Sequence, residues 1–348
     1  MNNTIYQAIN LCINKNIPFI AYLLPEEKDI VFFSNPTNKK NHSEQIFINT
    51  FANEQNDPII INKELNAADT IKVYSNSNPF PNARIKPWCT NTDFDSYNKQ
   101  ISEIALRLKL EQGKTVLSKV LCGLSNNINW GLAFFQYIEQ FPLTFRYIYF
   151  THETGCWIGA SPEILIDHKS GEQVFSTMAL AGTRPIPKTS AQWDAKNVEE
   201  HDYVTNYIYN ILSSLGLNVT IHPVENLKFG NIEHLCHRIT STFNNLSFLE
   251  ILSKLSPTPA LAGYPIRTAL EDIRRHEKHP RYCYGGYIAL KNESGFRAYV
   301  NFRGAHFDKE TYCIYSGGGI TAESNALAEW DEAESKIFKL KQILGNIS

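Results

Sequence analysis

The stretch NALAEWDEAESKIFKL, residues 325–340, puts four carboxylates in six positions and then a lysine, Lys336. On a helix turning about 100° per residue, Glu329, Glu332 and Lys336 fall within an arc of about 60°. Ala333 and Leu340 lie on that side, whereas Asp331 and Glu334 point away. Two acids and a lysine thus share the half-apolar face that should meet the rest of the protein. One reading is a solvated helix with Glu332 and Lys336 as an i, i+4 pair, worth a few tenths of a kcal/mol. The other is a cation-binding face, and a second helix bears on the choice. In AKNVEEHDYVTNYIYNIL, residues 195–212, Val204, Tyr207 and Ile211 recur on the face of Glu200. That face is apolar and aromatic, so Glu200 is expected to point inward while Glu199 and Asp202 do not. A buried carboxylate is costly unless paired, protonated or bound to a metal. An internal salt bridge would satisfy one such acid. Two helices that each offer inward acids favour a metal. Carboxylates without clustered His or Cys suit a hard ion, Mg²⁺ ahead of Ca²⁺.

The elements that must position these acids are legible in outline. The chain has 348 residues, 43% hydrophobic, and a net charge of −2. That suffices for a large core and lacks the basic stripe a nucleic-acid or anionic-membrane partner would favour. No apolar run is long enough for a membrane span, and MNNTIYQAINLCINKN has Asn and Gln where a secretory h-region should be. Seven scattered cysteines, none spaced C-x-x-C, argue against structural zinc and a disulfide framework. A reducing cytoplasm is the expected compartment.

Residues 1–95 read as one helix and the strands IPFIAYLL, DIVFF, QIFINTF, PIIIN and TIKVYS, separated by Asn-rich turns. DFDSYNKQISEIALRLKLEQG is an amphipathic helix with Tyr97, Ile101, Ile104 and Leu108 on one face. A helix INWGLAFFQYIEQF, a long helix over about 190–215 and the acidic final helix interrupt further strands, among them KTVLSKVLCGL, NVTIHP, CYGGYIAL, FRAYVNFRGAHF and TYCIYSGGG. Strands in runs joined by short turns point to α+β rather than a parallel sheet. The expected fold is one large domain of packed antiparallel sheets with helices on the outer faces. Residues 1–95 form its strand-rich part and 96–348 its catalytic region.

Ten motifs in order carry a resemblance over residues 114–340. They are KTVLSK (114–119), GASPEILI (159–166), ALAGTRP (179–185), EEHDYV (199–204), HLCHRI (234–239), LSPTPALAGYP (255–265), YGGYIAL (284–290), NFRGA (301–305), SGGGIT (316–321) and EWDEAESK (329–336). The chain resembles the chorismate-utilising enzymes: isochorismate synthase, salicylate synthase and the large subunits of anthranilate and aminodeoxychorismate synthase. The resemblance implies two antiparallel sheets wrapped by helices, and Mg²⁺-dependent chemistry on chorismate.

It also implies roles. Glu200 and Glu332 would bind Mg²⁺ with Glu329 as helper, and the metal with Lys336 would hold the ring carboxylate. His234 would sit beside the metal carboxylates, or be an ordinary core histidine. Arg303, Tyr284 and amides near Gly317 would receive the enolpyruvyl carboxylate, for which the planar guanidinium fork is suited. The alternatives are an exposed strand arginine sharing the alternation of Arg297, and a tight bend at SGGG. Gly182 and Thr183 would line the pocket near the ring, with Ala260, Thr183 and Tyr284 separating isochorismate from salicylate formation. Lys114 would be the base on water and Glu163 the acid on the departing C4 hydroxyl; family members that use ammonia commonly have Gln in place of Lys114. The bland readings are a surface lysine and a glutamate after a Ser-Pro turn. Ala181 stands where aminodeoxychorismate synthases have a nucleophilic lysine, and no glutamine amidotransferase partner is expected. Ser256, Asn197 and Lys119 depart from the common His, acid and Arg. The implied product, isochorismate, would feed a menaquinone or siderophore route, and salicylate synthase is the rival reading.

Overall fold

The computed structural model describes residues 2–345 except 41–42, 53–56, 82–84, 127, 187–190, 230–231 and 244. Strands are numbered in chain order. One eight-stranded sheet runs β12 (Gly263–Tyr264), β5 (Lys114–Leu124), β16 (Thr311–Ile320), β15 (Gly304–Phe307), β7 (Gly155–Ser161), β6 (Phe145–Thr151), β1 (Phe19–Leu23), β2 (Val31–Ser34). The other, also of eight strands, runs β10 (Val219–Phe229), β11 (Ile232–Thr242), β9 (Val174–Pro185), β8 (Ile164–Lys169), β14 (Gly295–Val300), β13 (Tyr287–Asn292), β3 (Gln45–Asn49), β4 (Ile59–Asn62). The paired neighbours are antiparallel, as the short turns imply. The first strands, β1 to β4, complete the edges of both sheets.

Strand β6 shows how the layers form. Every one of its residues is buried, because its two faces meet different cores. Phe145, Tyr147 and Tyr149 point into the layer between the sheets, where Phe145 stacks on Tyr299 of β14 at 4.4 Å. Ile148 and Phe150 point outward into a second core with helices α1 (Asn3–Lys15), α4 (Trp130–Gln140) and α8 (Ala326–Gly345). Helix α3 (Phe94–Leu108) buries Tyr97, Ile101, Ile104 and Leu108, the face that periodicity selects. Helix α5 (Ala195–Ser214) lies on β9 and β11 of the second sheet. No described helix is long and apolar enough to cross a membrane.

The structure corrects three local expectations. TIKVYS is not a strand but part of α2 (Ala67–Tyr74), opened by the Asn66 side chain accepting from Asp69 N. FRAYVNFRGAHF is not one run: the chain leaves β14 in one sheet, turns at 301–303 and enters β15 in the other. Helices α6 (Phe248–Leu255) and α7 (Ile266–His276) were not anticipated, although Ser247 and Glu250 form a reciprocal capping box worth about 1 kcal/mol.

Candidate active site

A cavity of about 940 Å³ opens between the sheets, and all thirteen residues singled out in the sequence line it. Lys114, Arg303 and Gly317 come from the first sheet or its entry. Gly182, Thr183 and His234 come from the second. Helix α5 brings Glu200, and α8 brings Glu329, Glu332 and Lys336. Glu163 and Ala260 lie on loops, and Tyr284 precedes β13.

The glycines of SGGG are not a bend. They lie within β16, in register with Ser118, Leu117 and Val116 of β5. Their missing side chains admit polar groups. A Cβ on Gly317 would stand 3.1 Å from the Tyr284 hydroxyl, one on Gly318 3.0 Å from Glu329 Oε2, and one on Gly319 3.3 Å from Glu200 Oε1. Gly182, with φ +71°, is the bulge between the pairs His234–Thr183 and Leu235–Ala181. The bulge turns Thr183 towards the cavity wall. Asn197 Oδ1 accepts from Thr183 N at 2.9 Å, and Thr183 Oγ1 lies 2.9 Å from His234 Nδ1. Burial brings the His234 pKa down to about 4, aided by Arg303, so the ring is neutral.

Arg303 does not share the face of Arg297, because the chain changes sheets between them. Arg297 pairs with Asp167 at 3.0 Å. Arg303, with φ +43°, is half-buried in the cavity wall and has no ion-pair partner among the described residues. Burial lowers its pKa to about 10. The buried Tyr284 stacks on Tyr315, with centroids 5.3 Å apart, and among the described residues its hydroxyl has no hydrogen-bond partner. A guanidinium and a phenol therefore offer donors to one cavity, and among the described residues neither group has a hydrogen-bond acceptor.

Lys114 is not a surface lysine: 1% of its side chain is exposed, and Nζ lies 2.8 Å from Glu200 Oε1. Glu163 is buried, accepts from Thr258 Oγ1 at 3.1 Å, and has its pKa pushed up to about 7. Burial is the cause, opposed by the Thr258 hydrogen bond and the Lys114 charge. Burial also raises Glu200, but Lys114 and the more distant Lys196 and Lys336 outweigh it and leave the carboxyl below its ordinary range.

The acids are placed differently from the helical-wheel expectation. Glu200 sits at the rim, 25% exposed, while the fully buried stripe of α5 is His201, Val204, Thr205, Ile208 and Leu212. Tyr207 and Ile211 are only half-buried. On α8, Glu329 is buried, but Glu332 and Lys336 are exposed and form the i, i+4 pair at 2.8 Å. Lys336 Nζ also donates to Gly317 O at 3.0 Å. Glu334, expected to point away, reaches back to Lys119, whose ammonium lies over the Trp330 ring. Lys196, which the sequence reading did not single out, lines the cavity and its charge is felt by both Glu200 and Glu329. Its spacing four residues before Glu200 is the signal that was there to find.

Among the described residues no three His, Cys, Asp or Glu side chains stand together as a metal-holding group. Glu200 is turned to Lys114 and Glu332 to Lys336. The donor set still suits a hard cation. Carboxylates from two helices open on one cavity, and burial together with Glu332 pushes Glu329 above its ordinary pKa despite the hydrogen bond from Ser324. A bound cation would relieve that cost.

Comparison with known proteins agrees with this architecture. The sequence is 31% identical to isochorismate synthase MenF of Pasteurella multocida over 206 residues, 55% of this chain and 47% of that protein. It is 28% identical to isochorismate synthase EntC of Escherichia coli over 255 residues, 69% of this chain and 64% of EntC. The chain thus spans about half to two-thirds of these relatives' length. The fold matches the structure of MenF, the menaquinone-specific isochorismate synthase from Escherichia coli, with a TM-score of 0.81 at 17% identity, covering 99% of this chain and 91% of that one. It also matches anthranilate synthase component I from Streptococcus pneumoniae, with a TM-score of 0.63 at 14% identity, covering 92% and 89%. The family model described as chorismate binding enzyme matches residues 30–345, and the chain belongs to that family.

Proposed function

We propose that this protein is an isochorismate synthase, an isomerase that adds water at C2 of chorismate as the C4 hydroxyl leaves, with Mg²⁺ as cofactor. The observation that carries the reading is one cavity containing two complementary devices. At one side are donors without acceptors, Arg303 and Tyr284; at another are a buried amine and a raised-pKa carboxyl, Lys114 and Glu163. The named relatives MenF and EntC support it, as does Lys114 in place of the glutamine common among ammonia users.

In this mechanism Arg303 and Tyr284 take the enolpyruvyl carboxylate, replacing donors left unpaired with charge-assisted hydrogen bonds. Lys336 meets the ring carboxylate, and the Thr183–His234 pair fixes the wall beside the ring. Lys114, in its neutral form, takes a proton from the attacking water. Glu163, with a pKa near the working pH, gives one to the departing oxygen. Glu200, Glu329 and Glu332 would hold Mg²⁺, which when bound would neutralise the ring carboxylate and the charge of the acids themselves. Ala260 on the wall leaves room that a bulkier residue would close.

The test is to incubate protein with chorismate, with and without Mg²⁺, and to separate the products by liquid chromatography. Isochorismate appearing only with Mg²⁺ is the expected result. Salicylate with equal pyruvate would replace the reading by salicylate synthase, and anthranilate formed only with ammonia would overturn the role of Lys114. A second expected result concerns the metal. Glu200→Gln removes one ligand charge and should raise the Mg²⁺ needed for half-maximal rate by about tenfold or more. An unchanged Mg²⁺ titration would take Glu200 out of the metal site.

A further inference from the structure

Glu163 and Lys114 must act on one substrate within a single turnover, yet their backbones belong to different parts of the sandwich. Glu163 is fixed by its main chain: its carbonyl accepts from Val300 N at 3.1 Å and its amide donates to Ser161 Oγ at 3.3 Å. Its carboxyl reaches away to the segment 256–265, where Thr258, 3% exposed, donates from Oγ1 to Oε1. That segment is bolted to the strand of the base. Leu261 N and Ala262 N close a turn on Thr258 O at 3.0 and 2.9 Å, and Val116 N donates to Ala262 O at 2.9 Å. Gly263 and Tyr264 then pair with Thr115 and Lys114. Arg281 clamps the junction from outside, with Nη1 on Leu261 O at 2.6 Å and Nη2 on Val116 O at 2.7 Å, and is itself held by Glu277.

We infer that Thr258 is a positioning residue for the proton donor. By donating to Oε1 it leaves Oε2 as the oxygen that carries the transferable proton, and through Oε1 it ties the carboxyl group to the strand that begins with Lys114. The inference rests on the proposed role of Glu163. With Oε1 accepting from Thr258, a proton on the carboxyl resides on the other oxygen. A carboxyl free to rotate would divide its proton between two oxygens and two directions, and productive alignment would be lost. Among the described residues Lys114 of β5 is the charged group whose field reaches this carboxyl. The remaining influences are burial and Thr258 itself.

The experiment compares Thr258→Val, which keeps the shape and removes the hydroxyl, with Thr258→Ser, which keeps the hydroxyl. Valine should lower kcat by roughly 10- to 100-fold, the range of a hydrogen bond to a charged group, with KM for chorismate little changed. The basic limb of the kcat profile should move up by about one pH unit, since the lost hydrogen bond favoured the carboxylate. Serine should restore both. Valine and serine variants with the same rates, or a valine variant with the limb unmoved, would overturn the inference. Carbon NMR titration of the Glu163 carboxyl, assigned against Glu163→Gln, reads the same shift without turnover. An upward shift in a protein that does not convert chorismate would therefore sink the proposed reaction and leave the Thr258 bond standing. No shift in an active enzyme would do the reverse.

Discussion

Lys114→Ala should retain chorismate affinity within about threefold and lose roughly 10²- to 10⁴-fold in kcat, the usual contribution of a positioned general base. The size of the effect follows from the placement of the amine. It is almost wholly buried, on the first residue of a strand held on both sides, and it points into the cavity at Glu200. Carboxylate recognition is assigned to Arg303, Tyr284 and Lys336, none of which loses a bond in this variant, so binding measured by calorimetry should survive. Removing the ammonium leaves the Glu200 charge without its partner, which could unsettle the fold. Lys114→Met refills the volume and should show the same loss of kcat. Near-normal turnover in the methionine variant would remove Lys114 from the chemistry.

Glu163→Gln should lose turnover on the same scale, and should also stabilise the protein at alkaline pH. Burial holds the Glu163 carboxyl at about 7 against an ordinary 4.5. A folded-state pKa raised in this way contributes fully below about pH 4.5, and the contribution is lost as pH rises through 7. At about 1.36 kcal/mol per pH unit the gap corresponds to roughly 3 kcal/mol, an order-of-magnitude cost of ionising this acid in its pocket. Glutamine never ionises. The variant should therefore match the wild type in denaturant midpoint near pH 4 and exceed it near pH 8.5. The basic limb of the activity profile should vanish with the residual rate. Equal midpoints at both pH values would mean that the carboxyl is not held protonated by its surroundings.

What could be read from the sequence was what local pattern and family motifs encode. The apolar face of α3 was legible because Tyr97, Ile101, Ile104 and Leu108 repeat at helical spacing. TIKVYS was not, because its apolar residues satisfy a period of 2 and a period of 3.6 equally well. The Asn66 cap and the packing of Ile71 and Tyr74 against the outer core settle it. The strand break at 301–303 was invisible for a different reason. β14 pairs with β8 and β15 with β7, so the change of sheet is set by partners far along the chain. The same holds for charge. A helical wheel can say that Glu200 and Glu334 differ from their neighbours, but not that Lys114 and Lys119, 86 and 215 residues away, come to meet them. The candidate site could be named residue by residue because its motifs are short and ordered. The Glu332–Lys336 pair was local and could be read, but the partner of Glu200 could not, because Lys114 meets it only once sheet and helix have closed on one space.

That closure has a mechanical consequence. The cavity walls belong to separate sheets, with Lys114, Arg303 and Gly317 on one side and Gly182, Thr183 and His234 on the other. A ligand gripped by both is a keystone: it resists sliding of one layer over the other, as the aromatic stacking of Phe145 on Tyr299 does elsewhere in the interface. Occupancy and stiffness of the sandwich then become one quantity. A ligand at a hundredfold excess over its dissociation constant would add about 2.7 kcal/mol to the work of prising the layers apart. Slowed amide exchange should then spread along β5 and β9 alike, well beyond the residues that touch the ligand.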